Sequence, residues 1–197
     1  TRVDHVRCER VNSLSPFGET VMKEQGIGIT AEQFDRGVSD GSLAGHVGFH
    51  ESAAMIARAL DLPYDRLEQR MRPIITEIDR KSPHGFAPRG HVAGVNMTAR
   101  AMDGDEERIA LIHPQQVEPE LAGVDTGDYI DLRGEPPVSM AVKPEVNGGL
   151  GTIAMACNTL PFVVAARPGL LTMLDIPVPR CVMGDYREIA FGEENNG

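Results

Sequence analysis

A histidine between two glycines is the most promising residue for chemistry in this sequence. His46 lies in Gly45-His46-Val47-Gly48, directly ahead of an Ala- and Leu-rich segment that predicts a helix. Glycine permits close approach of the backbone, and a histidine at a helix N-terminus tends to stay neutral, ready to donate or accept a hydrogen bond. The alternative is a histidine satisfied by backbone groups in a tight turn, and the sequence leaves both interpretations open.

The other histidines form no recognisable site. His50 follows His46 by four residues, but no third ligand stands at usable spacing, so we do not expect a metal site. We expect Glu51 and Ser52 to cap the helix. The remaining pattern holds neither a Ser, His and Asp ordering nor a nucleophile elbow. We expect three more histidines to be solvated or to lie at the edge of the core: His84, His91 and His113.

A glycine cluster, Gly148, Gly149 and Gly151, precedes the most apolar helix candidate of the chain. It is either a plain helix start or a cradle for an anion, and its spacing matches neither common phosphate-binding motif. The helix should be buried on most sides, because it is apolar nearly all round, and Pro161 should kink or split it. Within it, the amide of Asn158 either bonds a neighbouring loop or faces a ligand pocket.

The elements that must position these residues can be read from periodicity. Residues 3–11 predict a strand followed by a loop. Thr30 and Gln33 form a capping-box pattern, which predicts a short helix that ends near Gly37. Apolar spacing over residues 53–60 predicts a second helix, which must end before Pro63.

Two hairpins are predicted in the middle of the chain. Residues 91–99 alternate, turn at 103–105 and return over 108–113, and a second pair follows at 128–132 and 138–142. Strands in succession between helices predict an α+β fold, with an antiparallel or mixed β-sheet and helices packed on one face. We expect the opposite face to be free to meet another subunit.

Composition restricts the setting of this chain. Its 29 acidic and 19 basic residues give a net charge of −10, so a nucleic-acid partner is not expected. The odd set Cys8, Cys157 and Cys181 has no CxxC spacing, which favours a reducing, cytoplasmic compartment. The apolar stretch 153–166 is interrupted by polar residues and is short for a bilayer span, so no membrane partner is expected. We expect one domain over residues 1–191 and a frayed tail at 192–197.

A series of short motifs runs through nearly the whole chain: Gly45-His46-Val47-Gly48-Phe49, Arg72-Pro73-Ile74-Ile75, Gly90-His91-Val92-Ala93-Gly94-Val95, Gly151-Thr152-Ile153-Ala154 and Asn158-Thr159-Leu160-Pro161, then residues 168–179. In this order the series resembles the C-terminal domain of the 2,4-diaminopentanoate dehydrogenase and amine dehydrogenase family, whose members are similar to dihydrodipicolinate reductases. The order of the motifs is more specific than any one of them.

The resemblance implies an α+β domain that closes a substrate pocket and makes subunit contacts. The implied reaction is reversible oxidative deamination of a small amine or amino acid, with hydride transfer to NAD or NADP held mainly by an N-terminal Rossmann domain. The family's catalytic glutamate belongs to that Rossmann half, so no residue here inherits a catalytic role. By the same resemblance, the substrate-binding residues are His46, Phe49, Thr152, Met155 and Asn158.

This chain departs from the family because it contains no glycine fingerprint and no βαβ series. It also begins with Thr1 rather than Met, so we expect an excised domain that is inactive without its Rossmann half. We expect a homodimer or higher oligomer. The alternative is a stand-alone binding or assembly module that retains the fold without the chemistry.

Overall fold

A mixed sheet with helices on one face forms the main body of this protein. The structure, a computed structural model, describes residues 2–187. It divides the chain into two compact units, Thr1–Glu145 and Val146–Gly197. The predicted α+β class is confirmed, whereas the predicted tail at 192–197 lies outside the described residues.

The strands are β1 Arg2–Ser13, β2 Arg66–Ile75, β3 Arg80–Ser82, β4 Gly85–Ala87, β5 Val92–Asp103, β6 Glu106–Gln116, β7 Gly127–Glu135 and β8 Val138–Val142. The helices are α1 Glu19–Glu24, α2 Ala31–Asp40, α3 Phe49–Leu60 and α4 Gly148–Ala165, and Pro119–Ala122 form a 3₁₀ turn.

Strand order makes this sheet mixed rather than purely antiparallel. Six strands lie in the order β2-β5-β6-β1-β7-β8, and β3 pairs with β4 in a separate small ribbon. Both predicted hairpins are present, as β5 with β6 and β7 with β8. The pairing of β1 with β6 is parallel. This parallel pair brings the first strand into the middle of the sheet, between the two hairpins.

The core lies between the inner face of the sheet and the helices α2 and α3. Alternate strand residues point to the same face, so Val6 of β1, Met97 of β5 and Ile109 of β6 are buried together. Phe34 of α2 and Phe49 of α3 are buried in the same cluster. The first unit therefore has its own hydrophobic core, which fixes α3 above the sheet.

Helices α2 and α3 match their predicted positions with corrections at the ends. The capping box of Thr30 and Gln33 is present, but α2 continues past Gly37 and ends at Gly41, which adopts the left-handed conformation. Helix α3 begins at Phe49, after an N-cap Gly48 that has no side-chain cap. The predicted capping roles of Glu51 and Ser52 are therefore wrong, because both lie inside the helix.

Helix α4 corrects three sequence predictions. It runs unbroken through Pro161, so the predicted split is wrong, although the proline removes one backbone N–H bond within the helix. Pro161 is also its only buried residue in the described structure, so the predicted burial on most sides is wrong. Because the helix begins at Gly148, its 18 residues with mean hydropathy 1.4 are long and apolar enough to cross a membrane. Length and composition alone do not distinguish such a span from a helix covered by protein.

Candidate functional site

One row of side chains crosses the inner face of the sheet beneath the segment that leads into α3. Strand register places Met71 opposite Met97, and Met97 opposite His113. On the other side, Arg10 of β1 lies opposite Asp128 of β7. In the parallel pairing of β1 with β6, Glu9 lies opposite Ile112 and Asn12 lies opposite Gln115. The same register places Arg10 beside His113. We call Met71, Met97, His113, Arg10 and Asp128 the cross-strand row.

Gly45 allows the segment before α3 to lie directly on this row. Its φ is +61°, and a Cβ there would lie 2.4 Å from the sulfur of Met71 and 2.7 Å from that of Met97. The backbone N–H of the next residue, His46, donates to the Met97 sulfur at 2.8 Å. Only glycine combines this backbone conformation with this contact, so the predicted close approach at Gly45 is confirmed.

His46 faces two aromatic rings. Its ring centroid lies 5.6 Å from that of Phe49 and 4.7 Å from that of His113, the latter at an interplanar angle of 88°. Partial burial lowers the pKa of His46, and the positive charge of Arg10 lowers it further. The imidazole is therefore mostly neutral at neutral pH, although burial and Arg10 keep it so rather than the helix terminus.

His113 is buried, so of its two predicted environments, solvated or at the edge of the core, the solvated one is wrong. Its Nε2 lies 2.7 Å from Oδ1 of the buried Asn12, whose Nδ2 donates to the Ser13 carbonyl. An amide oxygen only accepts, so the Nε2–H of His113 donates and Nδ1 carries the lone pair. Burial chiefly, and then the charges of His46 and Arg10, lower the pKa of His113 to about 4. Two neutral imidazoles thus stack edge to face at the site.

The charged end of the row is an ion pair. Nη1 of Arg10 lies 2.6 Å from Oδ1 of Asp128, and the two side chains are 32% and 24% exposed. Their inner-face neighbours two residues away on the same strands, Cys8 and Ile130, are partly buried. A guanidinium and a carboxylate therefore stand side by side at the edge of an apolar surface.

A cavity of about 420 Å³ opens above this row in the first unit. Its size suits a small organic molecule rather than a polymer. Neutral imidazoles and one ion pair can orient the polar groups of such a ligand, while the apolar wall excludes water. The apolar wall includes Phe49, Met55, Ile56, Leu111 and Ile130, and the polar groups include Arg10, His46, Ser52, His113 and Asp128.

Two of the five predicted site residues, His46 and Phe49, are brought together in this cavity. The other three lie on α4, in the second unit, so their role in substrate binding stays a prediction. Thr152 donates to the Gly148 carbonyl, and Asn158 accepts from the N–H of Val182 at 3.1 Å. That bond agrees with the first alternative for Asn158, an amide that holds a neighbouring segment. Met155 is exposed.

The glycine cluster forms a capped helix start. Oδ1 of Asn147 accepts from the N–H of Leu150 at 3.0 Å, so α4 has a side-chain N-cap. Across residues 2–187, no group of three or more His, Cys, Asp or Glu side chains is placed to hold a metal ion.

The cavity residues that sequence reasoning missed are Arg10, His113 and Asp128. Each continues the alternation of its strand: His113 follows Leu111 by two, Arg10 follows Cys8 by two, and Asp128 precedes Ile130 by two. Strand parity was therefore the available signal, since it places these polar side chains on the buried face.

Comparisons with known proteins agree over nearly the whole chain. Residues 1–191 match the family model described as the 2,4-diaminopentanoate dehydrogenase C-terminal domain. The chain is 54% identical over 188 residues to the 2,4-diaminopentanoate dehydrogenase of Acetoanaerobium sticklandii, a match that covers 95% of this chain and 53% of that relative. Among solved structures, an amine dehydrogenase from Mycobacterium smegmatis superimposes with a TM-score of 0.74 at 22% identity, over 91% of this chain and 52% of that one. The structural likeness supports the fold alone, and the chain spans about half the length of both relatives.

Proposed function

The chain belongs to the 2,4-diaminopentanoate dehydrogenase C-terminal domain family, and from this membership we propose that it is the substrate-side domain of an NAD(P)-dependent amine dehydrogenase. The proposed reaction is the reversible oxidative deamination of a small amine or amino acid, with hydride transfer to nicotinamide. The observation that carries this proposal is the cavity of the first unit, where His46 and Phe49 of the family motif meet His113.

The protonation states of the cavity suit an amine substrate. The lowered pKa values of His46 and His113 keep both imidazoles mostly neutral at neutral pH, so they add no positive charge that would repel an ammonium or iminium group. Asp128, which is paired with Arg10, supplies a carboxylate on the same wall. Apolar side chains around these groups exclude water and strengthen the polar contacts that orient the substrate.

The described residues do not fit the dinucleotide itself. Between residues 2 and 187 the only parallel strand pair in the six-stranded sheet is β1 with β6, and no glycine-rich turn joins a strand to a helix in a βαβ unit. We therefore propose that NAD or NADP binds mainly to a Rossmann domain outside this chain, and that the chain by itself is inactive.

Joining the missing half to this chain tests the proposed function. We would fuse it to the remaining half of the A. sticklandii relative and follow NADH or NADPH formation with 2,4-diaminopentanoate and a panel of amines. The fusion should turn over, the chain alone should not, and His46→Ala in the fusion should lower kcat/KM by about tenfold or more with little loss of thermal stability.

Two outcomes would contradict this proposal. Turnover by the isolated chain would place a dinucleotide site within it. A folded fusion that binds the dinucleotide but oxidises no amine would favour the alternative, a binding or assembly module without chemistry. A large stability loss in His46→Ala with unchanged kinetic constants would give His46 a purely structural role.

We further propose that the chain forms a homodimer or higher oligomer through the outer face of its sheet. The supporting observation is a polar concave surface there, which includes Arg70, Arg72 and Arg100 together with Glu68. Arginine is enriched at protein interfaces, and three arginines lie on this open sheet face. Light scattering should give at least twice the mass of one chain, and a monodisperse monomer at high concentration would contradict the proposal.

The proposed compartment is the cytoplasm. Cys8, Cys157 and Cys181 are all free thiols in the structure, in keeping with a reducing environment. Fractionation of the source cells with an antibody against the chain would test this, and recovery from an oxidising compartment would contradict it.

A further inference from the structure

An ion pair interrupts the apolar wall of the cavity. Arg10 and Asp128 lie opposite each other on β1 and β7, and both side chains line the cavity. Nη1 of Arg10 lies 2.6 Å from Oδ1 of Asp128. Further along the same strands, the inner-face partners are Cys8 with Ile130 and Val6 with Leu132. The pair thus stands where the strand pattern would continue with apolar residues.

Folding gains little from this pair. Ion pairs that keep contact with solvent contribute little to stability, and apolar residues at such positions often serve stability equally well. At 32% and 24% exposure the two side chains retain some contact with the cavity, so a ligand can approach both. The wall therefore holds a charge arrangement that is better explained by recognition.

The chemistry of the two groups defines what they recognise. A guanidinium binds a carboxylate through two parallel N–H bonds, and a carboxylate accepts hydrogen bonds from an ammonium. A ligand that carries both an ammonium and a carboxylate on neighbouring atoms can bind both groups at once. A simple amine lacks the carboxylate and can bind only Asp128.

We propose that Arg10 and Asp128 are specificity residues that bind the amino-acid end of a diamino acid, with the carboxylate on Arg10 and the ammonium on Asp128. The hydrocarbon part of the ligand then lies along Phe49, Met55 and Ile56, and its second amino group lies within the cavity near His46. The assignment of the ligand as a substrate rests on the proposed function, whereas its binding does not.

A matched pair of double variants tests the proposal on the chain itself. Arg10→Leu with Asp128→Leu removes the inner pair and leaves the net charge unchanged. Arg7 and Asp131 form an equivalent Arg–Asp pair between the same strands on the outer face, 3.4 Å apart, so Arg7→Leu with Asp131→Leu is the control. Calorimetric titration would compare 2,4-diaminopentanoate with pentan-2-amine, which lacks the carboxylate and the second amino group, after circular dichroism has shown that each variant folds.

The expected result is a preference for the diamino acid that depends on the inner pair alone. The unmodified chain and the outer-face variant should bind 2,4-diaminopentanoate about tenfold or more tightly than pentan-2-amine, and the inner variant should lose that preference. Equal preference in the inner variant, or no binding of the diamino acid by the unmodified chain, would overturn the proposal.

The fusion enzyme separates this inference from the proposed function. If the fusion oxidises amines but the inner variant keeps the same ratio of kcat/KM for the two compounds, the specificity assignment fails and the dehydrogenase proposal stands. If the chain binds the diamino acid through the inner pair but the fusion oxidises nothing, the assignment stands and the dehydrogenase proposal fails.

Discussion

Burial, more than any neighbouring charge, controls the protonation of His113. The side chain is buried, and Asn12 accepts a hydrogen bond from its Nε2–H. The nearby charge of Asp128 raises the pKa of His113, but burial, Arg10 and, in acid, the protonated form of His46 outweigh it. A neutral histidine in one tautomer is therefore part of the folded structure, and the contact with His46 depends on it.

Acid should destabilise the protein through His113. Its pKa is near 6.5 in the unfolded chain and about 4 in the folded one, so between these values the unfolded state binds more protons. Its contribution to the free energy of unfolding is therefore fully present above about pH 6.5 and falls by about 3 kcal/mol on acidification to pH 4. Urea denaturation at a series of pH values measures this slope.

His113→Gln is the matched variant, because a glutamine amide can still donate to Asn12 and does not titrate. The variant should lose the part of the pH dependence between pH 6.5 and 4 that belongs to His113. Identical slopes in both proteins, or an NMR titration of His113 near its ordinary pKa, would contradict the assignment of a buried neutral imidazole.

At the residue scale, the sequence and the family resemblance pointed to His46 and Phe49 as site residues, but the sequence missed the polar side chains that lie beside them. The motif around His46 is local, and its glycines indicate a backbone conformation or a close contact that other residues do not allow. The contact with His113 depends instead on β6 lying under that segment, and the contact of His113 with Asn12 depends on the parallel pairing of β1 and β6. Such long-range pairing has no local signal in a single sequence, so strand parity could place His113 on the buried face but could not identify its partners.

At the scale of elements, the segment before α3 is set by its contact with two methionines. Gly45 lies against the sulfurs of Met71 and Met97, and the N–H of His46 donates to the same Met97. Methionine adapts to irregular contacts, which suits a short segment crossing a sheet. The position of His46 over the cavity therefore depends on Gly45 having no Cβ.

Gly45→Ala should displace His46 and destabilise the first unit. The new Cβ would clash with both sulfurs and would also hold an L residue at φ +61°, so we expect a loss of about 2 kcal/mol or more in the free energy of unfolding. Gly41→Ala is the control, because Gly41 has φ +77° with nothing within 4 Å and should lose only about 1 kcal/mol from backbone strain.

Chemical denaturation and the NMR signals of the His46 ring would measure both effects. If the clash causes the loss of stability, Gly45→Ala should lose more than Gly41→Ala, and only Gly45→Ala should shift the NMR signals of His46. Equal losses with an unmoved His46 ring would show that the methionine contact does not position it.

Local elements were predictable here, whereas their arrangement was less so. The capping box at Thr30 and the turn at Asp103-Gly104-Asp105 act over three or four residues, and both elements are present. The end of α2 was missed because Gly37 is tolerated within a helix, whereas Gly41 in the left-handed conformation ends it. For the helix α4, apolar composition predicted the helix itself but gave the wrong burial, because composition does not show what packs against a helix.

At the scale of the whole molecule, the candidate site belongs to one of the two units. The cavity-lining residues lie between Cys8 and Ile130, inside Thr1–Glu145, and so do Asn12, Met71 and Met97, which hold the two histidines in place. The same unit contains the six-stranded sheet and its own core. The geometry of the cavity should therefore be a property of the first unit.

A chain that ends at Glu145 should retain the geometry of the site. Because both ring partners of His46 and the hydrogen-bond partner of His113 lie before this boundary, the truncated chain should fold and keep the pKa of His113 at about 4. NMR titration of the histidine rings measures this directly, with the full chain as reference. A folded truncated chain whose His113 titrates near its ordinary pKa would show that burial of this side chain needs residues beyond 145, and that the first unit is not sufficient to form the site.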